Sequence, residues 1–406
     1  MKIPFLQPNP SRLSQLGAEL AQIEDSGVFS NYGPVNTRFE RGLTDALFDG
    51  VGGCVTVCNA TIGLMLAIRH GVDAMADRSA RGRAEAGRRR YALMPSFTFA
   101  ATAHAAIWCG LTPLLCDIDP DTWLPCREAE DALLEQYAGQ IAVIVPYATF
   151  GNCLDMERYD RISEEQGIAV VVDAASSLGS LDVLGRGFGT GSRHSVVFSM
   201  HATKTFAVAE GGVIYNADPD ALAAIRAMGN FGFTEPRVAR LPGLNSKLGE
   251  VTALQALAKL AEFPSVVEHR IALAEQYARA LPGWTLQKMV GRRHAHQFMP
   301  MLVPASYPGT RAGFLDELRH HGVGAATYFS PHLVEQPYFR DTCVAGDLRV
   351  TERIASRIVA LPMSDALTCE HVRLICTLLR ELAPLAPPTW VAADMLATVA
   401  ALSAGD

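Results

Sequence analysis

The feature that most constrains the fold is the alternation of short apolar runs with helix-like segments between about residues 45 and 262. The apolar runs are rich in β-branched residues and predict strands, and the segments between them have helical apolar spacing. Strands are expected at residues 91–94, 113–116, 141–145, 168–172, 195–198 and 212–215, and helices at 61–70, 99–108, 128–137, 156–166 and 219–228. Strands without polar alternation are typical of a parallel sheet covered on both faces. The pattern indicates an α/β domain.

The pattern changes after Asn245, where a second, smaller α/β domain is expected. A helix over residues 249–262 is predicted to stop at Pro264, because proline lacks the amide hydrogen of a helix interior. A second helix is expected at 266–281, followed by strands at 298–303 and 325–328 and helices at 311–319 and 369–382. The predicted organisation is an N-terminal segment packing on the small domain (1–44), a large domain (45–263), a small domain (264–384) and a C-terminal extension (385–406).

Composition and charge exclude several classes of protein. The chain has 406 residues, of which 49% are hydrophobic and 19% charged, so a disordered protein is excluded and two cores are possible. A net charge of -7 argues against nucleic-acid binding. The nine cysteines are odd in number and form no CxxC pair, so neither a disulfide framework nor a metal site is indicated. We find no signal peptide and no apolar run that could span a membrane, so a cytoplasmic location is expected.

Two segments stand apart from the folded pattern. Residues 78–90 contain six arginines and one glutamate; a solvated surface insertion is favoured over a basic loop that meets substrate phosphates. Residues 385–406 follow a proline-rich stretch and are expected to pack on the chain itself or on a partner subunit.

Two charged residues follow neighbouring predicted strands. Asp173 ends the apolar run GIAVVVD, and Lys204 lies in the segment SMHATKTFAVAEGG after the next strand. The carboxyl ends of strands in open α/β sheets are where ligands bind. A desolvated lysine suits Schiff-base chemistry, and a buried carboxylate can keep a pyridine nitrogen protonated. Taken alone, Lys204 could be a surface lysine and Asp173 a turn residue. Their occurrence after neighbouring strands favours a catalytic role for both.

Two further segments could hold a planar, anionic cofactor. Asn59, Ala60 and Thr61 open a predicted helix, whose first amides and hydroxyl could bind an anion. Ser199 supplies a second hydroxyl near Lys204. Phe99, in PSFTFAATA, could stack on a planar ring. Taken alone, however, the Asn59–Thr61 stretch favours plain helix capping, and core packing is the default for the phenylalanine.

With these segments together, the chain resembles the DegT/DnrJ/EryC1/StrS aminotransferases, the sugar aminotransferase group of the fold-type I pyridoxal phosphate enzymes. The resemblance covers most of the chain. It rests on the segments SNYGPVNTRFERGL, NAT, PSFTFAATA, DIDPDTW, VVDAASSLG, SMHATK with EGG, GLNSKLGEVTALQAL, YFSPHLVEQPYF and ALPMSDALT. It implies the aspartate-aminotransferase-like fold, with a large, mostly parallel mixed sheet and a smaller C-terminal α/β domain.

The resemblance also implies roles for individual residues. Lys204 is similar to the lysine that binds pyridoxal 5'-phosphate, and Asp173 to the partner of its pyridine nitrogen. Phe99 would stack on the ring, and Ala60, Thr61 and Ser199 would bind the phosphate. Asn245 resembles the asparagine that reaches the phosphate from a neighbouring subunit, which implies a homodimer with its active site at the subunit interface.

The sequence departs from the family pattern at several site positions. Ser176 stands where relatives usually carry His or Gln beside the phenolic oxygen of the cofactor, and Tyr147 replaces a common His or Gln. His332 falls in a stretch that lies near the sugar in relatives, so Tyr147 and His332 are candidates for substrate contact. His201 is interpreted as packing.

The function that the resemblance implies is conversion of a nucleotide-linked keto-sugar into an amino sugar, with glutamate as the amino donor. A keto-cyclitol aminotransferase would share all these motifs. A protein that binds the cofactor without turnover, as a regulator, is a further alternative, although Lys204 and Asp173 both argue against it.

Overall fold

The protein is described by a computed structural model over residues 2–77 and 87–384. The strands of this part of the chain are Gly53–Val57 (β1), Tyr91–Pro95 (β2), Thr112–Cys116 (β3), Ile141–Ile144 (β4), Ala169–Asp173 (β5), Ser195–Ser199 (β6), Gly212–Asn216 (β7), Phe233–Glu235 (β8), Val238–Ala239 (β9), Met299–Leu302 (β10), Val344–Ala345 (β11) and Ile358–Leu361 (β12). The segment 78–90 predicted as an arginine-rich insertion lies mostly outside the described residues, and the predicted extension 385–406 lies wholly outside them.

The helices of the same residues connect and cover these strands. They are Gly17–Ser26 (α1), Pro34–Leu47 (α2), Ala60–Asp77 (α3), Ala100–Trp108 (α4), Arg127–Gln136 (α5), Met156–Gln166 (α6), Pro219–Met228 (α7), Glu250–Ala280 (α8), Arg311–His320 (α9), Pro337–Thr342 (α10), Arg349–Arg357 (α11) and Cys369–Leu382 (α12). Within the described part of the chain, no helix combines the length and the apolar character that crossing a membrane requires.

The principal sheet has eight strands in the order β1-β7-β6-β5-β4-β2-β3-β11. Strand β7 is antiparallel to both of its neighbours, β1 and β6. The remaining neighbouring pairs in this order, from β6-β5 to β3-β11, are parallel. Successive residues of one strand enter opposite cores: Val196 and Phe198 belong to one buried cluster and Val197 to the other. Both faces of the sheet are therefore covered, as the unbroken apolar strands predicted.

The long helix α8 joins this sheet to a smaller core. Its residues Phe263, Val266 and Val267 lie in a core cluster on the principal sheet, and Leu273 and Tyr277 lie in a cluster around β10 and β12. The predicted helix break at Pro264 is wrong, since α8 is continuous from residue 250 to 280. Pro264 lies on the exposed face, and the packing of its buried neighbours outweighs the ~3 kcal/mol penalty of an interior proline.

The N-terminal segment divides between the two cores instead of packing on the small domain as a whole. Ile3 pairs with Val323 and lies in the smaller cluster, whereas Phe39 and Leu43 of α2 lie in the larger one. The predicted strand at 325–328 is also wrong: Ala326 makes a single bridge, to Ala360 of β12. After β10 the sequence missed two strands, the short β11, which pairs with β3, and β12, which pairs with β10.

Candidate active site

A cavity of about 570 Å³ lies at the carboxyl edge of the principal sheet. Strands β5 and β6 deliver Asp173 and Ser199 to this edge, and Asn59 follows β1 at the start of α3. These three residues and Lys204 all line the cavity. The strand ends therefore bring together side chains that are up to 145 positions apart along the chain, the separation of Asn59 and Lys204.

Lys204 lies in the turn that follows β6, and its amine points to neutral groups. Its Nζ donates to Ser176 Oγ at 3.2 Å and to Gln297 Oε1 at 3.0 Å. Removal from water lowers the pKa of Lys204 to about 8, although the charge of Asp173 opposes the shift. About a quarter of the amine is therefore neutral near physiological pH, and the neutral amine is the form that attacks carbonyl groups and accepts protons.

Asp173 is 3% exposed at the end of β5. Thr102 Oγ1 donates to its Oδ2 at 2.6 Å, and the amide of Ala175 donates to its Oδ1 at 3.1 Å. Burial raises the pKa of Asp173, and these two hydrogen bonds and Lys204 oppose that rise. A buried carboxylate held in this way can stabilise a cationic ring nitrogen placed beside it.

A second group of residues in the cavity wall suits an anion. Asn59 Oδ1 accepts from the amide of Ile62 at 3.0 Å, which leaves the first amides of α3, at Ala60 and Thr61, without partners in the helix pattern. Ala60, Thr61 and Ser199 line the cavity here. A Cβ at Gly212 would lie 2.8 Å from the amide nitrogen of Ala60, so only glycine lets β7 approach this helix start. Helix amides and two hydroxyls are a donor set that fits a phosphate.

Two phenylalanines of the segment before α4 have different environments. Phe99 lines the cavity and is 56% exposed, and its ring centroid lies 6.4 Å from that of Phe329. Phe97 is fully buried and packs edge-on against Phe150 and Phe329. The structure therefore offers Phe99 to a planar ligand and places Phe97 in the core. The amine, the carboxylate, the anion-binding end and this ring together fit pyridoxal phosphate.

Gln297 and Thr102 are site residues that sequence reasoning missed. Gln297 precedes β10, and its Oε1 accepts from both Lys204 and Ser176. Neither residue is charged, and although Thr102 lies within the segment PSFTFAATA, nothing in that segment distinguishes its hydroxyl from the neighbouring ones. His201, which was expected to pack, is also different, because it lines the cavity and its Nε2 lies 3.6 Å from Glu210 Oε1.

The remaining predicted site residues differ in their access to the cavity. Tyr147 lines it, and burial raises the pKa of its phenol. His332 is fully buried, its Nδ1 lies 2.8 Å from Ser96 Oγ, and it does not line the cavity. Asn245 is exposed, and its backbone pairs with Asn230 outside this chain's cavity. The single chain thus brings Tyr147 to the site and leaves His332 and Asn245 outside it.

The chain belongs to the DegT/DnrJ/EryC1/StrS aminotransferase family, whose model matches residues 13–380. A solved putative PLP-dependent aminotransferase from Bacillus cereus is 35% identical, covers 93% of this chain and 100% of that chain, and has a TM-score of 0.85. Solved DesI, determined in the presence of its TDP-sugar product, is 31% identical over 94% of this chain and 92% of its own, with a TM-score of 0.81.

A curated relative extends the likeness to a named reaction. The dTDP-4-amino-4,6-dideoxy-D-glucose transaminase of Shigella dysenteriae is 26% identical over 93% of this chain and 98% of its own length. These comparisons confirm the predicted family, the fold-type I α/β class, an aminotransferase activity and pyridoxal 5'-phosphate as the cofactor.

Proposed function

We propose that the protein converts a nucleotide-linked keto-sugar into an amino sugar, with glutamate as the amino donor. The observation that carries the proposal is the Lys204 amine, whose pKa burial lowers to about 8, in one cavity with the buried carboxylate of Asp173. A cofactor-binding regulator needs neither a neutral amine nor a buried carboxylate at its ligand. The family and the named transaminase relative support the same reaction class.

The cavity residues divide the binding of the cofactor among them. Asp173 would contact the pyridine nitrogen and Phe99 the face of the ring. Ser176, which is buried behind the cavity wall beside Lys204, would contact the phenolic oxygen. Ala60, Thr61 and Ser199 would bind the phosphate. When bound, pyridoxal phosphate supplies an electron sink for the carbanion that forms at the α-carbon of the amino donor.

Lys204 would move the proton of the reaction. Its neutral Nζ would take the proton from the α-carbon of the donor and then, as a general acid, give it to the carbon of the cofactor that receives the amino group. An amine with a pKa of about 8 can act in both directions near neutral pH, because neither protonation state is rare. Asp173, one strand away, keeps the ring end of the site anionic while the proton moves.

The second subunit of a homodimer would complete the site. Asn245 is exposed beside Phe231, which is 47% exposed and whose amide donates to the carbonyl of Leu244. An exposed aromatic side chain next to the asparagine supports a subunit contact at this surface. Asn245 would then reach the phosphate end of the partner's cavity, and an isolated monomer would be inactive.

The substrate would enter past the exposed Phe99 and contact Tyr147. DesI was solved with a TDP-sugar product, and the Shigella relative is a dTDP-sugar transaminase, which supports a nucleotide-linked sugar here. His332 would act only from behind Ser96, since its ring is buried. The nine cysteines form no disulfides, which supports a location in the reducing cytoplasm.

Two half-reactions observed by absorbance would test the proposal. The wild-type protein with pyridoxal phosphate should show a near-visible band that glutamate removes and a nucleotide-linked keto-sugar restores. Lys204→Ala should lose both changes, whereas Lys288→Ala, an exposed lysine outside the cavity, should retain them. Restoration by a keto-cyclitol and by no nucleotide sugar would refute the substrate class. Normal turnover by Lys204→Ala would refute the mechanism.

A further inference from the structure

The amine of Lys204 is held by two neutral acceptors from different parts of the fold. Ser176 follows β5, and Gln297 precedes β10 near the smaller core. Nζ lies 3.2 Å from Ser176 Oγ and 3.0 Å from Gln297 Oε1. Ser176 also donates its hydroxyl hydrogen to Gln297 Oε1. The three side chains thus form a closed set of hydrogen bonds in which Gln297 Oε1 accepts twice.

Gln297 is itself fixed in position. Its side chain is 3% exposed, and its Nε2 donates to the carbonyl of Thr203, the residue before Lys204, at 3.3 Å. The carbonyl of Ala295 accepts from Thr205 Oγ1 at 3.0 Å. The segment before β10 is therefore bonded to the lysine loop on both sides of Lys204, and the amide cannot turn without breaking these bonds.

The number of acceptors matches the number of protons on a neutral amine. A neutral amine has two N–H groups and one lone pair, whereas an ammonium has three N–H groups to satisfy. With its two hydrogens directed to Ser176 and Gln297, the tetrahedral nitrogen has its lone pair directed away from both. That arrangement leaves the nucleophilic side of Nζ free for a ligand in the cavity.

We propose that Gln297 is a positioning residue that, with Ser176, holds the neutral Lys204 amine and directs its lone pair into the cavity. This inference rests on the proposed function of Lys204. Gln297 acts through the lysine and does not itself take part in proton transfer. Because Gln297 lies next to β10, any movement of the smaller core relative to the sheet would alter the direction of the amine.

The experiment uses the full-length protein freed of cofactor and two reagents for the same amine. Trace labelling with acetic anhydride, quantified on the Lys204 peptide by mass spectrometry at several pH values, gives the midpoint and accessibility of the amine. Stopped-flow absorbance gives the rate at which added pyridoxal phosphate forms its near-visible band. The variants are Gln297→Leu, Gln297→Glu and, should Gln297→Leu fail to fold, Gln297→Asn. Gln287→Leu is the matched control, since Gln287 is 8% exposed with two hydrogen bonds elsewhere.

The two reagents separate positioning from a structural role. Gln297→Leu or Gln297→Asn should slow attack on the docked cofactor about tenfold or more, because the lone pair is no longer directed, yet leave labelling by the small anhydride undiminished. Gln297→Glu should raise the labelling midpoint by about 1–3 pH units, through a carboxylate beside the amine. Equal losses with both reagents, or rates and midpoints like those of Gln287→Leu, would overturn the proposal. Absence of the band in the wild type would instead refute the proposed function.

Discussion

The carboxylate of Glu250 is expected to hold the N-terminus of α2, and its replacement by glutamine tests this directly. Glu250 is fully buried at the start of α8. Its Oε2 accepts from the amide of Val35 at 2.8 Å and its Oε1 from that of Asn36 at 3.0 Å. Pro34, the first residue of α2, has no amide hydrogen. One carboxylate from another helix therefore satisfies the free amides of this helix start.

The loss of folding free energy in this variant can be estimated from the hydrogen bonds that glutamine can and cannot make at position 250. In Glu250→Gln the side-chain oxygen still accepts from one amide, but the NH2 group faces the other amide and cannot accept. A buried hydrogen bond to a charged group contributes about 1.5–3 kcal/mol, and an unpaired buried N–H adds a desolvation penalty. The loss of negative charge at a helix N-terminus removes about 0.3–1 kcal/mol more. We therefore expect Glu250→Gln to lower the free energy of unfolding by about 3 kcal/mol in total.

Amide hydrogen exchange and thermal unfolding at fixed cofactor concentration would measure this loss. One of the two amides, of Val35 or Asn36, should exchange about a hundredfold faster, the factor that ~3 kcal/mol corresponds to. Glu128→Gln is the control, because Glu128 lies exposed in the first turn of α5 and should change little. If Glu250→Gln melts and exchanges like Glu128→Gln, the carboxylate does not hold the helix start.

Three further predictions concern the candidate active site. The labelling rate of Lys204 in cofactor-free protein should rise with pH around a pKa of about 8. About a quarter of the amine is then neutral at pH 7.5, against about one part in a thousand for an ordinary lysine, and a midpoint near 10 would contradict the burial. Thr102→Val removes the 2.6 Å hydrogen bond to Asp173 and should weaken cofactor affinity about tenfold, whereas Thr44→Val, a buried threonine away from the cavity, should not. Gly212→Ala places a Cβ 2.8 Å from the Ala60 amide nitrogen and should lower cofactor affinity, measured by equilibrium titration, while Gly17→Ala, which meets nothing within 4 Å, should leave it unchanged.

The sequence predicted the central strands closely because each is buried on both faces. Strands β2 to β7 lie within about one residue of the predicted positions, since an unbroken β-branched run is itself the signal. Helix α2 was missed for the opposite reason. Its buried face includes Asn36 and Glu40, which bond to each other and to Thr56. A helix with a polar buried face lacks the apolar spacing from which a helix is recognised.

The glycine of the SNYGPVNT segment can likewise be explained only from the structure. A Cβ at Gly33 would lie 2.7 Å from Glu250 Cδ and from Val28 Cγ1, so the carboxylate that caps α2 needs glycine at this position. Glu250 is 217 positions further along the chain. Local patterns cannot show such a contact, because the sequence does not say which distant side chain will lie there.

The charged residues of the candidate site could be predicted from the sequence, whereas the uncharged residues that hold them could not. Lys204 and Asp173 carry charges at strand ends, where an unpaired charge would be costly to bury, so their residue types already indicate chemistry. A lysine that must be neutral cannot be held by a carboxylate in direct contact, because the opposite charge would raise its pKa. Its immediate partners must therefore be uncharged, and Ser176 and Gln297 are. Uncharged amides and hydroxyls occur throughout a chain of this size, so the groups that hold the lysine have no distinct sequence signal and become visible only as distances.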